Sequence, residues 1–245
     1  MIPVFVISLA RSHDRRAFIE KHMSSRAVDF VFFDAVDGKK LSEDELKNVD
    51  FLMARQFCGH DLSLGEVGCA MSHIRIYEMM VAKNIEHCVV LEDDIYLHSH
   101  FKAIVSKAMS ACQSDIIFLY HGKVKSWPWM KKMPEGYRLA KYISPSRNSK
   151  RGIISTAGYI LTLSGAKKLL SKAYPIRMPS DYLTGRLQLN GLTASGVEPC
   201  CMDVGLFDTT IDDRNYGPHV VSIHRNSIDT GKMRRSSLDP TFLLA

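Results

Sequence analysis

The stretch HCVVLEDDIYL, residues 87–97, sets three consecutive acids directly after a buried apolar run, and it constrains the chain more than any other feature. Cys88, Val89, Val90 and Leu91 form a short run rich in β-branching, which reads as a central strand of an α/β sheet. Glu92, Asp93 and Asp94 then stand at its carboxyl end, the edge where open α/β sheets bind ligands. Clustered carboxylates repel one another unless a cation or hydrogen-bond donors compensate. A divalent metal holding a phosphorylated ligand meets that need, and a solvated acidic turn is the other reading of the same residues.

With 245 residues, 46% of them hydrophobic, the chain can bury a sizeable core as one large α/β domain with a small appended lobe. It has no run of 18 or more apolar residues, and MIPVFVISLARS lacks the basic leader and cleavage site of a signal peptide, so neither export nor membrane spanning is expected. The six cysteines form no CxxC pair and several fall inside apolar segments, as expected of reduced thiols in a cytoplasmic protein. A formal charge of +6 points to an anionic partner without separating nucleic acid, membrane and phosphorylated substrate. Lys123, Lys125, Lys131, Lys132, Arg138, Lys141, Arg147, Lys150 and Arg151 are opposed only by Glu135 across 121–151, and Lys232, Arg234 and Arg235 form a second basic group. Solubility alone would also account for both clusters.

Along the chain, residues 2–9 read as a first strand that breaks into ARSHDRR, with Ser12 as helix N-cap and Asp14 in the first turn. Arg11, Arg15 and Arg16 then face an anion at the sheet edge or remain surface charges. A second strand, 28–33, runs into DAVDGKK; GxGxxG and GxxxxGK[ST] are both missing, which argues against dinucleotide and P-loop sites. Ser42 and Glu45 form one capping box, and Ser63 and Glu66 another that starts a helix near Leu64. Val67, Ala70, Ile74, Tyr77 and Val81 make its core face, with His73 and Arg75 off that stripe. A helix over 101–111 and a strand over 115–120 precede the basic segment 121–151, which carries Trp127 and Trp129 without clean periodicity. Such a segment suits stacking on a sugar or on bases. A strand over 156–163, a helix capped by Ser164, a helix DYLTGRLQL with Asp181 in its first turn, and a last strand over 192–197 complete the pattern. Residues 201–245 are expected to wrap the outside or cover the site.

Six blocks in order, VISLARSHDRR, FDAVDG, LSLGEVGCAMSH, VVLEDDI, TAGYILTLSGAKKLL and PSDYL, resemble glycosyltransferase family 25, the bacterial lipooligosaccharide transferases related to collagen galactosyltransferases. The resemblance covers most of residues 2–185 and thins beyond about 200. It implies a GT-A-type fold, Rossmann-like with a mostly parallel sheet and helices on both faces, as a catalytic domain over 1–200 with 201–245 as extension and 121–151 on the acceptor side. It also implies a UDP-hexose donor, galactose or glucose, transferred with inversion to a lipooligosaccharide core sugar. The DxD-type motif that holds Mn²⁺ or Mg²⁺ in such enzymes stands here as Glu92, Asp93 and Asp94, with Asp94 the better metal ligand because Glu92 has a longer arm. By family precedent a late histidine, His224 rather than His219, is a further ligand. Ser8, Leu9, Arg11 and Arg15 are expected to line the nucleotide pocket and Ala35, Asp37 and Gly38 to close it. His73 is a further donor-side candidate, and Asp181 is the candidate general base, since inversion by one displacement needs a single base at the acceptor hydroxyl.

A metal-dependent phosphodiesterase or nuclease would also place acids at a strand end beside a basic groove, and a non-catalytic protein could hold a glycan or nucleic acid there. The transferase reading expects no nucleic acid. It sets a cytoplasmic enzyme at the inner face of the bacterial inner membrane, where anionic headgroups attract basic stretches.

Overall fold

The structure, a computed structural model, describes residues 2–122 and 124–205. The chain opens with β1 (Val4–Ser8), α1 (His13–Ser25) and β2 (Val31–Asp34), then a 3-10 turn over Gly38–Lys40. There follow α2 (Glu43–Leu46), α3 (Phe51–Cys58), α4 (Leu64–Ala82), β3 (His87–Glu92), β4 (Ile95–Leu97), α5 (Phe101–Ala111) and β5 (Ile116–Phe118). The last elements are β6 (Lys131–Lys132), β7 (Arg138–Lys141), β8 (Gly158–Thr162), α6 (Leu163–Ala173), α7 (Ser180–Gly185), α8 (Leu187–Asn190), β9 (Ala194–Glu198) and β10 (Met202–Val204).

Eight strands form one sheet in the order β2-β1-β3-β8-β5-β9-β7-β6, and β10 pairs with β4 in a separate ribbon. Only β8 and β7 run against the rest, so the other six strands of the sheet share one direction. Helices cover both faces. One core cluster draws on α4, α6 and α7 through Val67, Ile74, Tyr77, Leu169 and Leu183. The other draws on α1 and α5 through Ile19, Met23, Phe101, Ile104 and Val105. Burial on both sides explains why β3 reads as unbroken apolar residues rather than as an alternation. This is the expected α/β class, a mostly parallel sheet with helices on both faces.

The opening of α4 follows its sequence signal. The Ser63 hydroxyl accepts from the Glu66 N–H at 3.2 Å, and the Glu66 carboxylate accepts from the Ser63 N–H at 2.9 Å, a closed capping box. Packing here requires two glycines. A Cβ on Gly38 would lie 2.0 Å from the Leu64 carbonyl oxygen, and one on Gly68 would lie 2.6 Å from that of Val36. The loop that follows β2 therefore rests directly on the first turns of α4. Enclosed by that loop and by α6 and α7, α4 buries His73 completely although it lies off the apolar stripe.

Several local expectations are corrected. Thr162, not Ser164, caps α6: its hydroxyl accepts from the Gly165 N–H at 3.0 Å, while Ser164 donates to Asp115 at 3.1 Å. Ser12 occupies the N-cap position of α1 without a side-chain cap bond. Part of 121–151 is regular, because β6 and β7 extend the sheet edge beyond β9. DYLTGRLQL breaks at Arg186 into two short helices. The strand over 194–198 is not the last, since β10 follows and pairs antiparallel with β4.

One buried group sets an acid limit on this fold. His22 is 1% exposed, its Nε2 accepts from the Leu97 N–H at 2.7 Å, and its ring stacks on Tyr96. Burial, aided by the Arg26 charge, lowers its pKa to about 4. The unfolded chain takes up this proton near pH 6.5 and the folded chain resists it, so stability is full above 6.5 and falls toward pH 4. About 3 kcal/mol is expected to be lost across that window. Urea melts at pH 7 and pH 4.5 should show the loss in the parent and much less of it in His22→Gln.

Candidate active site

The carboxyl edge of β3 meets that of β1, and a buried ion pair joins them. Asp93 accepts from the Ser8 hydroxyl at 2.6 Å through one oxygen and from Arg15 Nη1 at 2.6 Å through the other. Its charge is thus matched by α1, and it serves to lock two strands and a helix together. Arg16 donates to the Ser8 carbonyl at 2.9 Å and pairs with Asp34, which turns it away from any ligand role in this state. Arg11 Nε donates to Asp37 at 2.8 Å, and that bond holds the Asp37 carboxyl below the usual range. Ala35 N–H donates to the Ser8 carbonyl at 2.9 Å, so the turn at Ser8 and Leu9 and the loop through Ala35, Asp37 and Gly38 form one wall. The expected nucleotide-side residues are gathered together.

Asp94 differs from its neighbour. Its Oδ1 is enclosed and has no hydrogen-bond partner. Burial and then the Glu92 charge raise its pKa to about 7, against the pull of Arg15. A carboxylate in that condition is one a cation would relieve, so the residues fit a hard divalent ion bound by oxygen. The Gly205 N–H donates to the Asp94 backbone carbonyl at 3.2 Å, which brings the end of β10 to the same place.

Glu92 and Asp181 share a hydroxyl. Thr156 Oγ1 lies 2.7 Å from Glu92 Oε1, 2.9 Å from Asp181 Oδ1 and 3.2 Å from Ser180 Oγ. Thr156 leads into β8, the strand beside β3, and Asp181 opens α7. Asp181 is therefore at the sheet edge with the acids and is buried there. Below Glu92 lies His73, whose Nε2 is 3.5 Å from Glu92 Oε1 and whose Nδ1 is 2.8 Å from the Tyr159 hydroxyl. Burial lowers its pKa, yet Cys69 and Glu92 outweigh that and raise it to about 9. His73 lies beneath Glu92 and is closed off from solvent.

The basic segment divides. Trp127, Trp129, Lys131 and Lys141 line a groove of about 670 Å³ with Ser110–Ser114 and Thr193, at the amino ends of β5 and β9. That is the opposite edge of the sheet from the acids. His121 stands at the carboxyl end of β5 instead, 3.4 Å from Glu198, which also accepts from the Tyr142 hydroxyl at 3.0 Å. Burial lowers the His121 pKa and Cys200 and Glu198 raise it, to about 9. Sequence reading passed His121 over, although a histidine directly after a strand at the ligand edge was a usable signal. His224 lies outside the described residues.

The family model for glycosyltransferase family 25 (LPS biosynthesis protein) matches residues 1–184. A glycosyltransferase 25 family member of Aedes aegypti is 34% identical over 179 residues, covering 69% of this chain and 28% of that protein. A human protein named inactive glycosyltransferase 25 family member 3 is 34% identical over 192 residues, covering 73% of this chain and 30% of its own length. The chain thus spans less than a third of these relatives. Among solved structures, a glycosyltransferase involved in glycosylation of the major capsid of PBCV-1 aligns with 69% of this chain and 65% of its own at 10% identity and a TM-score of 0.32. The match of the family model over residues 1–184, together with these relatives, establishes that the chain belongs to glycosyltransferase family 25.

Proposed function

We propose that this chain catalyses metal-dependent transfer of a hexose, galactose or glucose, from a UDP-sugar to a lipooligosaccharide core, with inversion at the anomeric carbon. The observation that carries the reading is the enclosed, partnerless Asp94 Oδ1 at the carboxyl edge of β3, beside Glu92 and the Asp93–Arg15 pair. Asp94 would hold Mn²⁺ or Mg²⁺, with Glu92 and His224 as further candidates. When bound, such an ion acts as a Lewis acid on the diphosphate leaving group. Ser8, Leu9, Arg11, Arg15, Ala35, Asp37 and Gly38 bind and orient the nucleotide, and the ion pair with Arg15 holds the Asp93 side chain in place. Asp181 takes the acceptor hydroxyl proton, positioned by the bond from Thr156. Arg11, half-exposed and paired with Asp37, is placed to turn toward a phosphate.

Among the described residues no helix is long and apolar enough to cross a membrane. The proposal sets the protein at the cytoplasmic face of the inner membrane, held to anionic lipid by its basic stretches. Several relatives, the human protein among them, have names that include the word inactive, so transfer itself is the measurement that decides. UDP-galactose, UDP-glucose and other UDP-sugars are each incubated with the protein, Mn²⁺ and truncated lipooligosaccharide, and the product is weighed. Addition of one hexose from one donor, abolished by chelator, is expected; no transfer from any donor together with no metal-dependent UDP binding would overturn the reading.

A further inference from the structure

Beneath the acids Cys69 and His73, neither of them a metal ligand in the proposed transfer, meet Glu92 in a second set of metal-ligating groups. Cys69 and His73 stand four residues apart on α4, so both project from one face of the helix. Glu92 reaches the same point from the end of β3. One ligand atom from each lies within 4.8 Å of the other two. The His73 ring is set up for ligation: Nδ1 is 2.8 Å from the Tyr159 hydroxyl, itself 3.1 Å from that of Tyr77, which leaves Nε2 facing the cluster. Nε2 is fully buried and makes no hydrogen bond. A ligating histidine whose other nitrogen is fixed by a polar partner is the usual arrangement around bound zinc.

We propose that Cys69, His73 and Glu92 form a binding site for a thiophilic divalent cation of the Zn²⁺ class, separate from the hard-cation position at Asp94. The donor set of thiolate, imidazole and carboxylate suits Zn²⁺ and not Mg²⁺. Zinc bonds of about 2.0–2.3 Å set tetrahedral ligands roughly 3.3–3.8 Å apart, so the trio closes by drawing in about 1 Å. Three protein ligands leave the fourth position to water, and Ser180 Oγ, 3.3 Å from Cys69 Sγ, lines that side. On binding, the Cys69 thiol and the His73 imidazolium each give one proton to solvent; sulfur and the freed Nε2 then each donate a lone pair to the ion. Cys69 and Glu92 are only partly buried, which supplies the entry path.

This inference shares only Glu92 with the proposed transfer, and its test reads no activity. The full chain, reduced and metal-free, is titrated with Co²⁺, and the thiolate-to-cobalt charge-transfer band is followed and then displaced with Zn²⁺. One equivalent with a tetrahedral spectrum is expected. Cys69→Ser should remove the band, and His73→Gln should weaken Zn²⁺ binding by roughly 10–100-fold against a chromophoric chelator. Cys200→Ser and Asp94→Asn should leave the band in place. Circular dichroism checks that each variant is folded, with Cys69→Ala as the second substitution if serine disturbs α4. Absence of the band in the parent, its survival in the folded Cys69 variants, or its loss in Asp94→Asn would overturn the proposal.

Discussion

Asp94→Asn is expected to lower turnover with a UDP-sugar by roughly 10³-fold, about 4 kcal/mol of barrier, and to abolish the response to Mn²⁺. The same change should make the metal-free protein more stable at pH 8. Burial and Glu92 raise the Asp94 pKa to about 7, above its unfolded value of 3.8. The proton therefore stabilises the folded state fully below 3.8, and that stability is lost as pH rises through 7. Asparagine carries no charge to bury, so the variant should gain a few kcal/mol at pH 8 and little at pH 4. Denaturant melts with chelator at both pH values, beside Mn²⁺ titrations of UDP binding, measure both effects. Retained Mn²⁺ dependence in a folded variant would remove Asp94 as the anchor.

Asp181→Asn is expected to lower turnover by roughly 10²–10⁴-fold while UDP affinity changes little. Asparagine keeps the size of the side chain and can still accept from Thr156, so α7 should stay in place. What it loses is the capacity to take a proton from the attacking hydroxyl. The comparison that isolates this role is kcat against donor Kd, measured by single turnover and by calorimetry. Equal loss in both would mean that Asp181 holds the donor site together, and unchanged kcat would exclude it as the base.

The fold was legible where one element carries its own instructions. The β3 apolar run, the Ser63–Glu66 capping box and the 101–111 helix all stand where local pattern places them. It was not legible where pairing partners decide. Lys131, Lys132 and Arg138 look like a solvated charged loop, and become strands only because β9 offers an open edge. β4 and β10 are three residues each and exist through each other. For the site, helical periodicity set His73 apart from the core face, but it could not show that the 36–38 loop, α6 and α7 close over α4 and bury the ring. The acids were visible as a triplet; that Asp93 is neutralised by Ser8 and Arg15 while Asp94 is left without a partner depends on a helix 78 residues earlier in the chain.

The bond from the Gly205 N–H to the Asp94 carbonyl bears on how shortened versions of this protein should be cut. A fragment trimmed immediately after Gly205 would end in a free carboxylate at the mouth of the acid cluster. Under the proposed transfer, that extra negative charge would compete for the cation and for the basic side chains proposed to bind the diphosphate. A trimmed version meant for ligand screening should therefore be blocked as an amide or carry several uncharged residues past this glycine.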